Sequence, residues 1–215
     1  MNYKEFRLRY MEFPFFTDSS LRQWGPSWRT IQNQMSRWRQ SGEVIQLRRG
    51  LYTLNESNRK VEADPLVISS EMVSPSYVSL EWALAHFGFI PERVDAVTAI
   101  TTKKTQRILN PLGKFVYRHV KESLFVGFTQ ERTPGKFPYF LATREKALFD
   151  FLYLNLDDID PSRPEIFEES YRFQYLENLD WEKMMSYVRI SGGKKLQAVV
   201  QALKKWNDTQ QGEIV

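Results

Sequence analysis

Polar side chains of the kinds that read DNA recur along residues 27–41. They are Arg29, Gln32, Asn33, Ser36 and Arg37. In the major groove, arginine pairs with guanine, asparagine and glutamine pair with adenine, and serine contacts either base. Residues 27–42 contain no carboxylate that would repel a polyanion. This segment therefore predicts contact with double-stranded DNA.

These side chains share a surface only if the segment is helical. Ile31, Met35 and Trp38 recur at i, i+4 and i+7, which predicts a helix over residues 27–41 with one apolar stripe. Gly42 suits the left-handed position that ends a helix. A β-hairpin is predicted over residues 44–54. Its turn contains Arg48, Arg49 and Gly50, and we expect the two arginines to contact the phosphate backbone.

Two further helices are predicted before this one. The first covers residues 3–13, with Phe6, Tyr10 and Phe13 on one buried face. The second is capped by Thr17 or Asp18 and runs through Leu21 to Trp24, and Gly25 and Pro26 form the next turn. Three helices and a hairpin within the first 54 residues follow the order of a winged helix-turn-helix, whose third helix reads DNA.

Composition limits the class of protein. The 215 residues are 42% hydrophobic and 14% aromatic, enough for a substantial core. The absence of cysteine excludes disulfides and thiolate zinc sites, and only His86 and His119 are present. No stretch approaches the roughly 18–20 apolar residues of a membrane span. We expect a cytoplasmic, non-enzymatic protein without a metal, a cofactor or membrane contact.

Charge divides the chain into two predicted domains. Residues 1–60 contain 11 Lys and Arg against 5 Asp and Glu, whereas residues 61–215 contain 19 against 21. A basic excess confined to one part is typical of a DNA-binding domain joined to a domain with another role. We expect an α+β protein, with the winged helix-turn-helix in residues 1–60 and a linker near residues 55–64.

A larger mixed α/β domain is expected over residues 61–215, with a small, mostly antiparallel sheet and several C-terminal helices. Strands are predicted over residues 94–101, 116–120 and 124–128. Helices are predicted at residues 65–73, from Tyr77 to Phe87, from Glu145 onward, from Glu165 onward, at residues 181–188 and at 194–206. The apolar stripe of the last helix either closes the core or contributes to a dimer; it comprises Leu196, Val199, Val200, Leu203 and Trp206.

Other functions remain open at this level. Glu81, Asp95 and Lys103 could form a metal-dependent nuclease site, although their spacing is loose. The threonine- and lysine-rich residues 98–105 are typical of a strand, and could also form a strand end that binds phosphate or RNA. Residues 157–182 contain nine Asp and Glu against two Arg, which predicts a solvated face, a contact for a basic partner or intramolecular masking of the basic N-terminal domain. The winged helix could also bind a protein instead of DNA.

Five runs of residues give the chain a family resemblance. They are RRGLY at 48–52, PSYVSLE at 75–81, GFIPE at 88–92, LGKFVYRHVK at 112–121 and ATREKALFDFLYL at 142–154. In this order they resemble the AbiEi family, the antitoxins of type IV toxin-antitoxin, or abortive-infection, systems. The resemblance covers nearly the whole chain and includes the predicted winged helix.

The resemblance implies a transcriptional autorepressor that binds inverted repeats in its own promoter, with a homodimer on the DNA as one arrangement. It also implies an antitoxin that opposes a nucleotidyltransferase-like toxin without forming a stable complex. It carries no catalytic residue over to this sequence. Individual DNA contacts are not carried over either, since helices that read different operators should differ.

Overall fold

A computed structural model of the chain describes residues 2–24 and 27–212, and within them the fold is mixed α+β, as predicted. The predicted turn at Gly25 and Pro26 lies outside the described residues. The first part of the chain contains α1 (Tyr3–Tyr10), β1 (Phe16–Thr17), α2 (Asp18–Leu21), α3 (Trp28–Gln40), β2 (Val44–Arg48) and β3 (Leu51–Leu54). A 3-10 turn, Arg22–Trp24, extends α2.

An aromatic core holds these N-terminal elements together. Phe6 from α1 lies with its ring centroid 4.5 Å from that of Trp38 on α3 and 5.2 Å from that of Phe16 on β1. The prediction that Phe13 lies on the same buried face is wrong. Helix α1 ends at Tyr10, and the Phe13 N–H turns back to the Tyr10 carbonyl, which leaves the Phe13 side chain 52% exposed.

The N-terminal strands form an antiparallel sheet in the order β1-β3-β2. The hairpin predicted over residues 44–54 is confirmed, with a turn of two residues, Arg49 and Gly50, between Arg48 and Leu51. Gly50 has a φ of +79°, a left-handed conformation that favours glycine. The Thr17 hydroxyl accepts the Ser20 N–H and caps α2, as one of the two predicted caps.

The second part of the chain surrounds a larger sheet. Its elements are α4 (Pro65–Met72), β4 (Ser76–Val78), α5 (Leu80–His86), β5 (Ala96–Thr101), β6 (Gln106–Asn110), β7 (Gly113–His119), β8 (Phe128–Arg132), β9 (Pro138–Ala142), α6 (Arg144–Leu154), α7 (Ile166–Glu169), α8 (Trp181–Ser191) and α9 (Lys194–Gly212). The strand order is β6-β7-β5-β4-β9-β8. Pairs β5–β7 and β4–β9 are parallel and the other three are antiparallel.

Two predictions about this sheet are wrong. Residues 124–128 are not a strand, because a 3-10 turn occupies Glu122–Leu124 and β8 begins only at Phe128. The helix predicted from Tyr77 begins at Leu80, because residues 76–78 pair with β5 as strand β4. Tyr77 is buried in that strand, so its apolar spacing from Leu80 and Leu84 reflected a shared core instead of a helix face.

Helices α6 and α9 close the core beneath the larger sheet. Eight consecutive residues of α6, from Glu145 to Leu152, are buried, which confirms the prediction of a central helix. The α9 stripe closes the core, the first of its two predicted roles, since Leu196, Val199, Val200 and Leu203 are at most 1% exposed. No helix among the described residues is both long and apolar enough to cross a membrane.

The hairpin of β2 and β3 joins the two parts of the chain. Leu47 and Leu51 belong to the apolar cluster of the second part, not to that of the first. The Arg48 guanidinium donates to the Met72 carbonyl at the end of α4, and Asn110 Nδ2 donates to the Leu47 carbonyl at 3.2 Å. The β2–β3 hairpin, whose turn was predicted to contact the phosphate backbone, therefore packs against the second part of the chain.

The predicted linker also makes contacts. Residues 55–64 contain a 3-10 turn, Glu56–Asn58, and a buried Ala63 that packs in the second core. Lys60 forms an ion pair with Glu12 at 2.7 Å, which fastens the segment to the end of α1. Residues 55–64 lack a hydrophobic pattern because they form short turns. The Lys60–Glu12 ion pair and the buried Ala63 nevertheless fix the segment to both parts of the chain.

Candidate nucleic-acid interface

Helix α3 keeps the predicted polar residues in solvent. Ile31 and Met35 are 3% and 4% exposed and hold the opposite side of the helix in the aromatic core. This anchoring rotates the remaining face outward. The exposed side chains on it are Arg29, Gln32, Asn33, Ser36 and Arg37. The structure therefore brings all five predicted helix residues to one accessible surface.

A glycine-dependent stop sets where α3 ends. The Gly42 N–H donates to the Arg39 carbonyl at 3.2 Å, and the Glu43 N–H donates to the Trp38 carbonyl at 2.9 Å. This pair of bonds is the Schellman pattern, and it requires the left-handed φ of +75° that Gly42 adopts. The prediction for Gly42 is confirmed. The chain reverses here, so β2 returns alongside α3.

A polar groove of about 260 Å³ lies between α3 and the hairpin. Its lining residues are Asp18, Arg22, Trp28, Gln32, Met35, Ser36, Arg39, Arg49 and Tyr52. Three guanidinium groups face one carboxylate there, so the groove is positive. Such a surface attracts a polyanion. We name it the arginine groove.

Two arginines of this groove, Arg22 and Arg39, are not among the predicted DNA contacts. Arg39 follows Gln32 at i+7, so the helical period alone would have placed it beside Gln32. Arg22 lies in a different element and reaches the groove only through the fold. Its guanidinium sits 4.1 Å from the centroid of the Trp28 ring, a cation–π contact that holds it at the start of α3.

Asp18 ties the hairpin turn to α2. Its N–H donates to the Gly50 carbonyl at 3.0 Å, and its carboxylate would lie 3.2 Å from any Cβ placed on Gly50. Burial and the neighbouring Asp18 carboxylate raise the pKa of Tyr52. These contacts fix the turn, and thereby hold Arg49 along the groove.

The structure separates the two predicted turn arginines. Arg49 lines the arginine groove with Gln32 and Ser36. Arg48 is bound to the Met72 carbonyl, in the direction of the second core. Arg48 is the last residue of β2 and Arg49 the first of the turn, and the chain reverses between them, so adjacency in sequence did not place both at the same surface.

Asp95, one of the three residues considered for a nuclease site, lies at the surface. Asp95 pairs with Arg93 at 3.4 Å, and both side chains are more than four-fifths exposed. Within the described ranges, no group of three or more His, Cys, Asp or Glu is placed to hold a metal ion. The threonines of β5 serve the fold: Thr98 donates to the Ser79 carbonyl at 2.6 Å and Thr101 to the Pro75 carbonyl at 2.7 Å.

Comparison with known proteins identifies no relative of this chain. No protein-family model matches the chain, and no curated protein matches it significantly. The candidate interface is the solvent-exposed polar face of α3 beside the arginine groove, and residues 27–42 contain no carboxylate.

Proposed function

We propose that this protein is a winged-helix regulator that binds double-stranded DNA by inserting α3 into the major groove. The observation that carries the proposal is the exposed, carboxylate-free face of α3 lying next to the arginine groove. The element order from α1 to β3 and the sheet order β1-β3-β2 agree with a winged helix-turn-helix. The 13 residues of α3 span about 20 Å, and the diameter of an α-helix, about 10–12 Å, matches the width of the major groove, about 12 Å.

The side chains divide by what they would contact. Arg29, Gln32, Asn33 and Arg37 face outward and would read base edges or phosphates, with Ser36 beside them. Arg49 would hold the phosphate backbone, joined by Arg22 and Arg39 from the groove. Arg48 could join them only by leaving the Met72 carbonyl, so the backbone role falls first to Arg49.

The resemblance to the AbiEi family supports a biological setting for this DNA binding. In that setting the protein represses its own operon from inverted repeats, which two copies would occupy. It acts in the cytoplasm as the antitoxin of a type IV system, and opposes a nucleotidyltransferase-like toxin without a stable complex. The DNA-binding proposal stands on the α3 surface, whereas the antitoxin role stands on the resemblance.

A gel-shift titration tests the DNA-binding role. The purified chain is titrated onto its own upstream DNA and onto scrambled DNA at two salt concentrations. We expect tighter, salt-sensitive binding to the upstream DNA, since released counterions favour binding at low salt. Arg37→Ala should weaken it by about 1–3 kcal/mol, or roughly fivefold to 150-fold. Arg163→Ala, an exposed arginine in the C-terminal part, is the matched control.

The outcomes separate the competing roles. Equal, weak binding to both DNAs would end the regulator proposal and favour a winged helix that binds protein. Unchanged binding by Arg37→Ala, with specificity intact, would remove only that residue from the reading face.

Growth rescue tests the antitoxin role separately. A nucleotidyltransferase gene next to this one would be expressed alone and together with the protein. Restored growth supports the antitoxin role. Rescue that survives the combined Arg29→Ala and Arg37→Ala changes would assign it to the C-terminal part, and failure of the intact chain to rescue would leave an operator-binding regulator alone.

A further inference from the structure

A second cavity, of about 800 Å³, opens between α9 and the irregular segment that joins α7 to α8. Small-molecule sites typically have volumes of about 300–1,000 Å³. None of the residues proposed to contact DNA lines this cavity, so it is a separate feature of the C-terminal part. We name it the α9 cavity.

Aromatic and aliphatic side chains form much of its lining. Phe173 and Leu176 are 5% and 1% exposed, and Trp206 lies beside them with its ring centroid 6.0 Å from that of the buried Phe167. Tyr175 stands at the cavity with most of its ring in solvent. These surfaces suit a flat apolar group, which would gain from leaving water.

One buried polar group faces no partner. Asn207 is 7% exposed and lines the α9 cavity, and no residue in the described part of the chain hydrogen-bonds to its carboxamide. It follows Leu203 at i+4 and Val200 at i+7, so it continues the apolar stripe of α9. Its amide atoms are not among the fully buried side-chain atoms that lack a partner, so they are open to the cavity and can bond to a molecule bound there. Its position therefore points to a ligand that hydrogen-bonds to it.

The charge around the cavity has one sign in excess. Glu168 and Glu177 line it with Arg172, whose guanidinium lies 3.3 Å from Glu92. Glu168 accepts a hydrogen bond from Gln210 at 3.2 Å, whereas Glu177 has no ion pair among the described residues. The surrounding residues 157–182 contain nine Asp and Glu against two Arg. A cleft lined by negative charge concentrates cations.

The wall that carries these groups has a constrained backbone. Arg172 and Tyr175 adopt left-handed φ angles of +52° and +55°, which non-glycine residues rarely do. Between them the Gln174 N–H donates to the Phe89 carbonyl at 2.9 Å. This bond and the Arg172–Glu92 ion pair hold the wall against the loop after α5.

We propose that the α9 cavity binds an organic cation with a flat apolar body. The body would lie against Phe173 and Trp206, its cationic nitrogen would pair with Glu177, and an N–H would donate to the Asn207 carboxamide oxygen. A free small molecule and an arginine side chain from a partner protein can both supply a flat cationic group, since a guanidinium is planar and stacks on aromatic rings. This inference does not depend on the DNA-binding proposal.

Three probes of one shape test the cation requirement. Benzamidine is positive, benzamide neutral and benzoate negative, and each is titrated into the full ¹⁵N-labelled chain by NMR. We expect benzamidine to bind about tenfold more tightly than benzamide, the size of one charge-assisted hydrogen bond, and benzoate to bind least. Amide shifts should centre on residues 168–177 and 206–210. Equal binding of all three probes, shifts elsewhere, or no binding at millimolar concentration would overturn the proposal.

Substitutions then test the named groups. Glu177→Gln should remove the preference for benzamidine over benzamide, whereas Asn207→Leu should weaken both probes. Glu182→Gln changes an exposed carboxylate of the same acidic stretch that does not line the cavity, and should change neither. An unaltered preference in Glu177→Gln would contradict the assignment. Leucine suits the α9 stripe, and thermal unfolding of Asn207→Leu checks that the variant is folded.

A final pair of probes identifies the source of the cation. Agmatine is a free guanidinium compound, and an acetylated, amidated Gly-Gly-Arg-Gly-Gly peptide carries the same group on a backbone. Tighter binding of the peptide supports a partner's side chain, and tighter binding of agmatine supports a small molecule. Failure of both to compete with benzamidine would overturn the site as a guanidinium site.

Discussion

The charged residues of helices α3 and α6 lie in opposite environments. On α3 the arginines stand in solvent. On α6 the Lys146 ammonium and the Asp150 carboxylate, one turn apart, are 0% exposed and paired with each other. An exposed charge costs the fold little and is free to meet a partner, whereas a buried charge must be satisfied within the protein. A charged residue on a helix can therefore either contact a partner or stabilise the fold, and its burial distinguishes the two roles.

The α6 pair lies in a network of buried side chains. Asp150 accepts hydrogen bonds from the Tyr77 and Ser79 hydroxyls, both at 2.9 Å, in addition to the Lys146 bond. The Lys146 ammonium lies 4.9 Å from the ring centroid of Phe149. Burial lowers the pKa of Lys146 and raises the pKa of Asp150, so each group depends on the other to remain charged. The network joins β4 to α6 in the centre of the core.

Removing one partner of the α6 pair should have the largest effect on folding. Asp150→Ala leaves the Lys146 charge buried alone, and we expect it to lower the free energy of unfolding by about 3–5 kcal/mol. Arg37→Ala on α3 should change it by less than about 0.5 kcal/mol. Urea denaturation measures both.

The double variant Lys146→Met with Asp150→Asn is the control for charge. It removes both charges and keeps an acceptor for Tyr77 and Ser79, so it should recover a large part of the lost stability. A loss as great as that of Asp150→Ala would show that packing, not the unpaired charge, dominates at α6.

The close fit around Lys146 should have the next effect. A Cβ on Gly127 would lie 2.5 Å from the Tyr187 hydroxyl and 3.1 Å from Lys146 Cδ, and φ there is +79°. Gly127→Ala should therefore cost roughly 2–4 kcal/mol, from backbone strain and overpacking together. Gly192→Ala at φ +72°, with open space around it, isolates the strain of about 1–2 kcal/mol. Equal melting temperatures of the two variants would mean that the Tyr187 and Lys146 side chains move to accommodate the added methyl group at little cost.

The two turn arginines should separate in their effects. Arg49→Ala should weaken binding to all DNA sequences alike and lower the slope of log affinity against log salt by about 1, the loss of one phosphate contact. Arg48→Ala should leave that slope unchanged and lower stability by about 1 kcal/mol, because the Met72 carbonyl loses its donor. Salt-dependent gel shifts and urea denaturation measure the two quantities. The reverse result would place Arg48, not Arg49, on the DNA.

The ion pair between Glu145 of α6 and the partly exposed Lys183 of α8 should give the smallest effect. Burial alone would raise the pKa of Glu145, but the hydrogen bond from Lys183 at 2.8 Å outweighs it and holds that pKa below its ordinary value. The resulting stability is present above the unfolded pKa of about 4.3 and is lost as pH falls through the folded pKa. Glu145→Gln should flatten this acid-side loss, by under about 1 kcal/mol. Urea midpoints between pH 3 and 7 in both proteins check it, and parallel curves would contradict it.

Local signals predicted the α3 region well. The spacing of Ile31, Met35 and Trp38, the glycine at position 42 and the alternating hairpin depend on contacts within a few residues, so they can be read directly. The same reading failed for the strands of the larger sheet. Strand β4 was predicted as part of a helix because its partners, β5 and β9, are distant in sequence. Strands β6 and β9 were not predicted, although each forms a hairpin with a neighbouring strand.

The sequence by itself determined the polar face of α3, the basic excess of the N-terminal part and the apolar character of α6 and α9. Only the tertiary structure decided which charges are buried. It brought Arg22 to the groove, turned Arg48 toward Met72 and enclosed Lys146 with Asp150. The period of an element fixes which residues share a face, but whether that face meets water or core depends on neighbours that arrive from distant parts of the chain.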